Sequence, residues 1–251
     1  MSLSAIILTR NEAANIRDCI DSVGFADEIL VIDDGSADAT VEIARRCGAT
    51  VLPRKMNGNW AEQRNFAISQ AHCDQVLFLD ADERIPPALA GEIQSALNKT
   101  PQVCLAMRRE NHFAEGPITH GILRPDRVVR IFPRAKGSYV GRVHEKLVCD
   151  LPVTTLRNRL IHFPYRDWSH YWRKFDAYTE SSAKKYLESG KRFCFVRDIL
   201  LRPIWAFIKI YFLNLGFLDG RLGWIFSVNH YCYTMNKYVR LYALQKHDGR
   251  I

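Results

Sequence analysis

Gln75-Val76-Leu77-Phe78-Leu79-Asp80-Ala81-Asp82-Glu83 is the stretch whose reading decides the fold. Val76 to Leu79 are apolar at every position, so a strand built from them has no face to offer water. Such runs suit a parallel sheet covered on both sides. The run then changes abruptly to Asp80-Ala81-Asp82, which places carboxylates at a strand's C-terminal end. In open α/β sheets that end is where ligands bind.

The same pattern recurs upstream. Leu3–Leu8 is a short apolar run, and Glu28–Asp33 is a second one, ending in Asp33-Asp34-Gly35-Ser36. Between them Ala13, Ile16, Ile20 and Val23 repeat at helical spacing, with Asn11 as the expected cap. A second helix is expected over Asp38–Cys47, stopping at Gly48, then a short strand over Ala49–Pro53. Asn59 with Glu62 forms a capping-box start for a helix over Trp60–Ala71. Downstream, Pro86-Pro87 opens a helix with Leu89, Ile93 and Leu97 on one face. This β-α-β-α alternation predicts an α/β fold with an open, mostly parallel sheet and helices on both faces.

Residues 103–163 read as strand-like and irregular, with strands expected over Arg127–Phe132 and Ser138–Val148. From Asp167 the chain reads as helical. The division expected is a catalytic domain over 1–165 and a helical, basic, aromatic-rich extension over 166–251. Ile199–Leu218 is rich in apolar residues, but Arg202, Pro203, Lys209 and Asn214 interrupt it. That favours an interfacial helix, or a pair, over a transmembrane span.

Charge divides the chain in the same place. Residues 1–150 hold 18 Lys/Arg and 20 Asp/Glu, while residues 151–251 hold 17 and 7, a net of −2 against +10. The surplus, interleaved with aromatics such as Trp205, Tyr211, Phe217 and Trp224, fits an anionic membrane surface; a solvated helical lid is the plainer reading. No nucleic-acid module accompanies it. A hydrophobic fraction of 47% excludes large-scale disorder. Seven dispersed cysteines without a CxxC pair argue against a disulfide framework or structural zinc. The apolar run at the N-terminus is too short for a signal sequence. The expected location is cytoplasmic, peripheral at the inner face of the cytoplasmic membrane.

Asp80-Ala81-Asp82 carries the sharpest chemistry. Two carboxylates one residue apart can hold Mg2+ or Mn2+ against a diphosphate. The cation would neutralise charge on a leaving nucleoside diphosphate. For the triplet alone, a solvated turn with capping aspartates is the alternative.

Four segments then occur in order: Ile6-Ile7-Leu8-Thr9-Arg10-Asn11-Glu12, Val31-Ile32-Asp33-Asp34-Gly35-Ser36, Gln63-Arg64-Asn65, and Phe78-Leu79-Asp80-Ala81-Asp82-Glu83. Together they resemble the family 2 glycosyltransferases with the GT-A fold, and in particular the bacterial lipopolysaccharide core β-glucosyltransferases. Gly216-Phe217-Leu218-Asp219-Gly220 extends the resemblance toward the C-terminus. The resemblance implies an inverting transfer of a hexose, glucose in that group, from a UDP-sugar to a lipopolysaccharide-core or lipid-linked glycan. It implies that Thr9 and Glu12 border the base and ribose, and that Asp34 recognises uracil. Arg64 would lie near the base and diphosphate, with Asp33 supporting the loop and Asp80 beside the metal at Asp82. Glu145, in Val143-His144-Glu145, matches the base that takes the acceptor's hydroxyl proton, with His144 as its neighbour. His162 matches a late histidine that reaches the metal or diphosphate. Arg127 and Arg130 could contact diphosphate, an acidic acceptor, or Asp126 and its neighbours.

The rival enzyme reading is a sugar-phosphate nucleotidyltransferase, but Thr9-Arg10-Asn11-Glu12 replaces the glycine-rich loop expected there. A dinucleotide-dependent oxidoreductase lacks its GxGxxG. A non-catalytic, membrane-associated scaffold with this fold is the alternative outside enzymes.

Overall fold

All seven residues of β1 (Leu3–Thr9) are buried, as a strand covered on both faces requires. The structure is a computed structural model and describes residues 1–100, 102–113, 116–142 and 145–247. These fall into two compact units, one of Met1–Glu110 with Asp126–His162, the other of Asn111–Pro125 with the chain from Phe163.

In the first unit β1 is followed by α1 (Ile16–Ser22), β2 (Glu28–Asp33), α2 (Thr40–Arg46), β3 (Thr50–Pro53), α3 (Trp60–Gln70), β4 (Gln75–Asp80), β5 (Glu83–Arg84) and α4 (Pro87–Lys99). β6 (Cys104–Phe113) continues past the unit's edge and pairs with β7 (Gly116–Ile118). The first unit resumes with β8 (Asp126–Pro133), β9 (Ser138–Val140), β10 (Lys146–Val148) and β11 (Val153–His162). The sheet runs β3-β2-β1-β4-β8-β6-β11-β5, and β9 and β10 form a separate antiparallel pair. It is parallel from β3 to β4 and antiparallel where β8 joins β4 and β6.

Alternation along the strands fills two cores. Ala5, Ile7, Leu77 and Leu79 pack with α1 and with Leu89, Ile93 and Leu97 of α4. Ile6, Leu8, Val76 and Phe78 pack with Ala61 and Ala67 of α3. Helices therefore cover both faces of the parallel half. Gly48, at φ 84°, ends α2 as expected, and Asn59 Oδ1 caps α3 by accepting the Glu62 amide.

α1 departs from expectation: it begins at Ile16. Asn11 sits at φ 55° and is spent on holding two loops together. Its amide donates to Ser36 Oγ at 2.9 Å, and its Oδ1 accepts the Ala37 amide at 2.8 Å. The Glu12 amide continues the clasp to Thr40 Oγ1 at 2.8 Å.

The second unit contains the β6–β7 hairpin end, α5 (Trp168–Glu188), α6 (Arg202–Ile208) and α7 (Gly220–His247). Asp167 caps α5 by accepting the His170 amide at 2.6 Å. α6 lies between π-helical segments Val196–Leu201 and Lys209–Leu213. One core joins Phe113, Ile118, Tyr171, Leu222 and Phe226; another joins Ala183, Tyr238 and Leu241. Asp219 clamps a turn by accepting the amides of Thr119 and His120 at 3.2 and 2.8 Å. A Cβ on Gly223 would stand 1.8 Å from the Gly216 carbonyl oxygen. The Gly216–Gly220 segment is thus accounted for by close packing and a turn.

Among the described residues no single helix is long and apolar enough to cross a membrane. One pair, Val196–Leu213 with Gly216–Lys246, meets that length and composition test together but is bent by 71°.

Candidate active site

Strand register brings the acidic segments of the first unit to one edge. Thr9 stands opposite Asp33 across β1–β2, and Leu8 stands opposite Asp80 across β1–β4. The C-terminal ends of three parallel strands therefore present Thr9, Asp33-Asp34 and Asp80-Ala81-Asp82 side by side.

At the β2 end Asp33 is buried and builds the turn: its Oδ2 accepts the amides of Gly35 and Ser36 at 2.9 and 3.0 Å. Asp34 faces out of the turn. Its Oδ1 accepts the Met56 amide at 2.8 Å, and its Oδ2 lies 3.3 Å from Arg10 Nη1. Thr9 is buried, and its Oγ1 has no partner among the described residues. Glu12 accepts Asn15 Nδ2 at 2.7 Å and supports the start of α1.

The β4 end carries a line of alternating charge that composition could not reveal. Arg64, on α3, is 6% exposed and sandwiched between the rings of Phe78 and Tyr139, 5.2 Å from each centroid. Its Nε donates to Glu145 Oε1 at 3.1 Å, and its Nη2 lies 3.7 Å from Asp80 Oδ1. Arg130 Nη2 donates to Asp80 Oδ2 at 2.7 Å and also to Glu83 Oε1. Glu83 is fully buried; its Oε2 accepts the Asp80 amide at 3.0 Å, and Arg109 Nη1 lies 3.4 Å from its Oε1. Arg109 then pairs with Asp126 at 2.6 Å. Burial pushes the Asp80 carboxyl up, but Arg130 and Arg64 reverse this and hold it well below the usual carboxylate range. For Glu83 desolvation wins, and its pKa is raised.

Asp82 points elsewhere. Its Oδ2 lies 3.6 Å from His162 Nε2, with the two side chains 22% and 16% exposed. Arg84 fixes the intervening turn, donating to the Ala81 and Asn15 carbonyls at 2.9 and 2.8 Å. The described residues contain no group of three or more His, Cys, Asp or Glu side chains able to hold a metal. The Asp82–His162 pair supplies one oxygen and one nitrogen donor. Such a pair fits a divalent cation whose remaining positions are filled by a substrate diphosphate and water.

The structure thus brings together Arg64, Asp80 and Glu145, and separately Asp82 and His162. His144 and Val143 lie outside the described residues. Arg127 turns to Thr155 Oγ1 at 2.9 Å. Of the protein groups within reach Arg130 takes Asp80 and Glu83, while Asp126 pairs with Arg109. Glu83 and Arg109 were absent from the sequence-based set. The signal for Glu83 was its place three residues after Asp80 in a conspicuous motif, where a carboxylate can fold back on the Asp80 amide.

The family model described as Glycosyl transferase family 2 matches residues 4–155. The chain is 29% identical over 255 residues to the lipopolysaccharide core biosynthesis glycosyltransferase LpsC of Rhizobium meliloti (strain 1021), covering 98% of this chain and 93% of LpsC. It is 28% identical over 263 residues to an uncharacterized glycosyltransferase of Rickettsia bellii (strain RML369-C), covering 97% and 86%. Among solved structures, S. aureus TarS is similar with a TM-score of 0.47 at 16% identity, covering 94% of this chain and 81% of that one.

Proposed function

We infer the reaction from the premise that this chain belongs to glycosyl transferase family 2 and is a glycosyltransferase. The proposed reaction is inverting transfer of a hexose, glucose in the first instance, from a UDP-sugar to a hydroxyl of a lipopolysaccharide-core or lipid-linked glycan. The observation that carries it is Arg64, which bridges Asp80 at the strand edge and Glu145 on the chain after β9. One guanidinium links the donor side to a carboxylate suited to proton removal.

Asp34 would receive the uracil, since a carboxylate can accept the imide N–H, with Thr9 and Glu12 bordering the base and ribose. Arg64 has a buried Nη1 without a partner among the described residues, a donor suited to a diphosphate oxygen. Asp82 and His162 would hold Mg2+ or Mn2+, with Asp80 alongside anchoring the two arginines. When bound, the cation supplies charge neutralisation for the departing diphosphate. As the new C–O bond forms at the anomeric carbon, Glu145 takes the acceptor hydroxyl proton while the bond to the diphosphate breaks. Arg64 holds one oxygen of Glu145 and leaves the other for that proton.

The acceptor class follows LpsC, whose name assigns it to lipopolysaccharide core biosynthesis. A membrane surface is part of the reading because the second unit turns an apolar helix face outward. Leu201, Trp205 and Leu213 are 59%, 58% and 62% exposed. The site of action proposed is the inner face of the cytoplasmic membrane, where nucleotide sugars are available.

The test is release of UDP from UDP-glucose with a heptose-terminated core acceptor, with and without Mn2+, with the product's anomeric configuration read by NMR. The expected result is cation-dependent release with a β-linked product, lost in Asp82→Ala and reduced at least a hundredfold in Glu145→Gln. Absence of cation-dependent binding of any UDP- or GDP-sugar would overturn the reading.

A further inference from the structure

The second unit contains a cavity of about 260 Å³ that the donor chemistry does not use. Apart from Ile122 its wall is aromatic: Tyr165, Tyr171, Phe175, Tyr178, His230 and Tyr233 line it. Tyr171 is buried, while Tyr178 is 57% exposed, so the cavity runs from a closed floor to an open rim. The rings are braced by one another. Tyr165 meets Tyr171 edge-on at 4.9 Å, Phe175 meets Tyr233 edge-on at 5.7 Å, and His230 stacks on Tyr233 at 5.8 Å. This makes a rigid wall of ring faces and edges.

Polar groups are set into that wall. Tyr233 is satisfied within the unit by Ser182 Oγ at 3.1 Å. The hydroxyls of Tyr165 and Tyr178 and the ring nitrogens of His230 make no hydrogen bond to another described residue. His230 is pushed down to about 4 by burial, with Lys237 and Lys209 adding to the effect. It is a neutral imidazole at physiological pH, able to donate at one nitrogen and accept at the other.

We propose that this cavity is a saccharide site that takes one pyranose ring of the acceptor glycan. Sugar rings present C–H bonds on their faces, which suit the negative faces of aromatic rings. Their hydroxyls both donate and accept, as neutral His230, Tyr165 and Tyr178 do. No carboxylate lines the cavity and lysines flank it, so a cationic ligand is disfavoured, whereas an anionic substituent on the sugar is not. The volume lies just below the ~300–1,000 Å³ of pockets for drug-sized ligands, which suits a single ring. A lipid tail would leave the imidazole and two phenols facing hydrocarbon without partners, at a desolvation cost. The proposal rests on the glycosyltransferase reading only in naming the sugar as part of the acceptor.

The test uses the full chain and the methyl glycosides of glucose, mannose and L-glycero-D-manno-heptose, observed by saturation-transfer NMR. At least one should bind with a Kd near the millimolar range, about −4 kcal/mol. Tyr178→Ala and His230→Ala should each weaken it about three- to tenfold, from loss of a ring contact. Tyr178 is largely exposed, so that variant spares the core. With a core acceptor, both variants should raise the acceptor's KM by the same factor and leave UDP-glucose KM unchanged. Wild-type protein that binds UDP-glucose but saturates none of the three glycosides would overturn the proposal and leave the main reading standing. Binding unaffected by both variants, or displacement of the glycoside by a decyl-chain amphiphile, would also overturn it. Failure to bind UDP-glucose marks instead the failure of the main reading, and the glycoside arm still decides the cavity.

Discussion

Asp80 and Glu83 share the Arg130 guanidinium, and that sharing has a consequence for stability. Arg130 is 6% exposed and Glu83 is fully buried, so removing the arginine leaves a carboxylate with only Arg109 and one amide in a medium that solvates charge poorly. Arg130→Met should lower unfolding stability by about 3–5 kcal/mol, the range for breaking a buried pair. Chemical denaturation followed by far-UV circular dichroism measures it, and a loss under 1 kcal/mol would show that the pair is not interior in solution. The Asp80 side adds a pH signature. Its folded pKa lies below the unfolded value of 3.8, so its contribution is present above that value and is lost only as pH falls further. Sequence pattern exposed Asp80, Asp82, Arg64 and Glu145 because each belongs to a motif. It did not expose which guanidinium meets which carboxylate, because pairing depends on strand register: Arg130 comes from β8, fifty residues beyond Asp80.

The elements that could be read from the sequence are those whose hydrophobic pattern is local. β1, β2, β4, α3 and α4 are found where continuous apolar runs, caps and helical spacing place them. β6 and β11 are ten residues each, yet they showed only as irregular strand-like sequence. β11 has an exposed or partly exposed residue at eight of its ten positions, so it lacks the unbroken apolar signal. α1 was expected four residues too early because Asn11 looks like a cap but serves as a clasp between loops. The Gly216–Gly220 segment gives the reverse case, a conspicuous motif whose content is structural. Asp219, with its side chain 6% exposed, accepts both amides of the Thr119-His120 turn and the Thr119 hydroxyl. Asp219→Ala leaves those amides unpaired and should destabilise the second unit by about 2 kcal/mol or more. Tryptophan fluorescence reports on that unit selectively, since Trp168, Trp172, Trp205 and Trp224 belong to it and only Trp60 lies in the first. A denaturation midpoint unchanged by Asp219→Ala would show that the clamp adds nothing.

On the scale of the whole chain, charge and apolar exposure coincide in the same part of the sequence. The net of +10 over residues 151–251 accompanies a helix face that is apolar where a water-facing helix would be polar. Along Val196–Leu213 the exposed apolar residues are Val196, Leu200, Leu201, Ile204, Trp205, Ile208, Phe212 and Leu213. Singly or in adjacent pairs they recur about every four residues, which keeps them on one side, while Asp198, Pro203 and Ile210 are buried on the other. Arg197 and Lys209 are exposed along the same segment, and Arg192 and Arg221 are exposed beyond its two ends. An apolar face bordered by cations is the arrangement that lies in the boundary of an anionic leaflet. The protein should therefore sediment with vesicles containing phosphatidylglycerol and much less with vesicles of phosphatidylcholine alone, and rising salt should weaken the electrostatic part. Full burial of a large apolar side chain is worth ~1.5–3 kcal/mol, so two half-exposed ones entering lipid contribute about 2 kcal/mol. Leu201→Ser combined with Trp205→Ser should then lower vesicle partitioning roughly thirtyfold, a factor of ten per 1.4 kcal/mol, while UDP-glucose binding in solution is unchanged. If the double variant partitions like the wild type, the charges alone hold the protein at the surface and this face does not enter the bilayer.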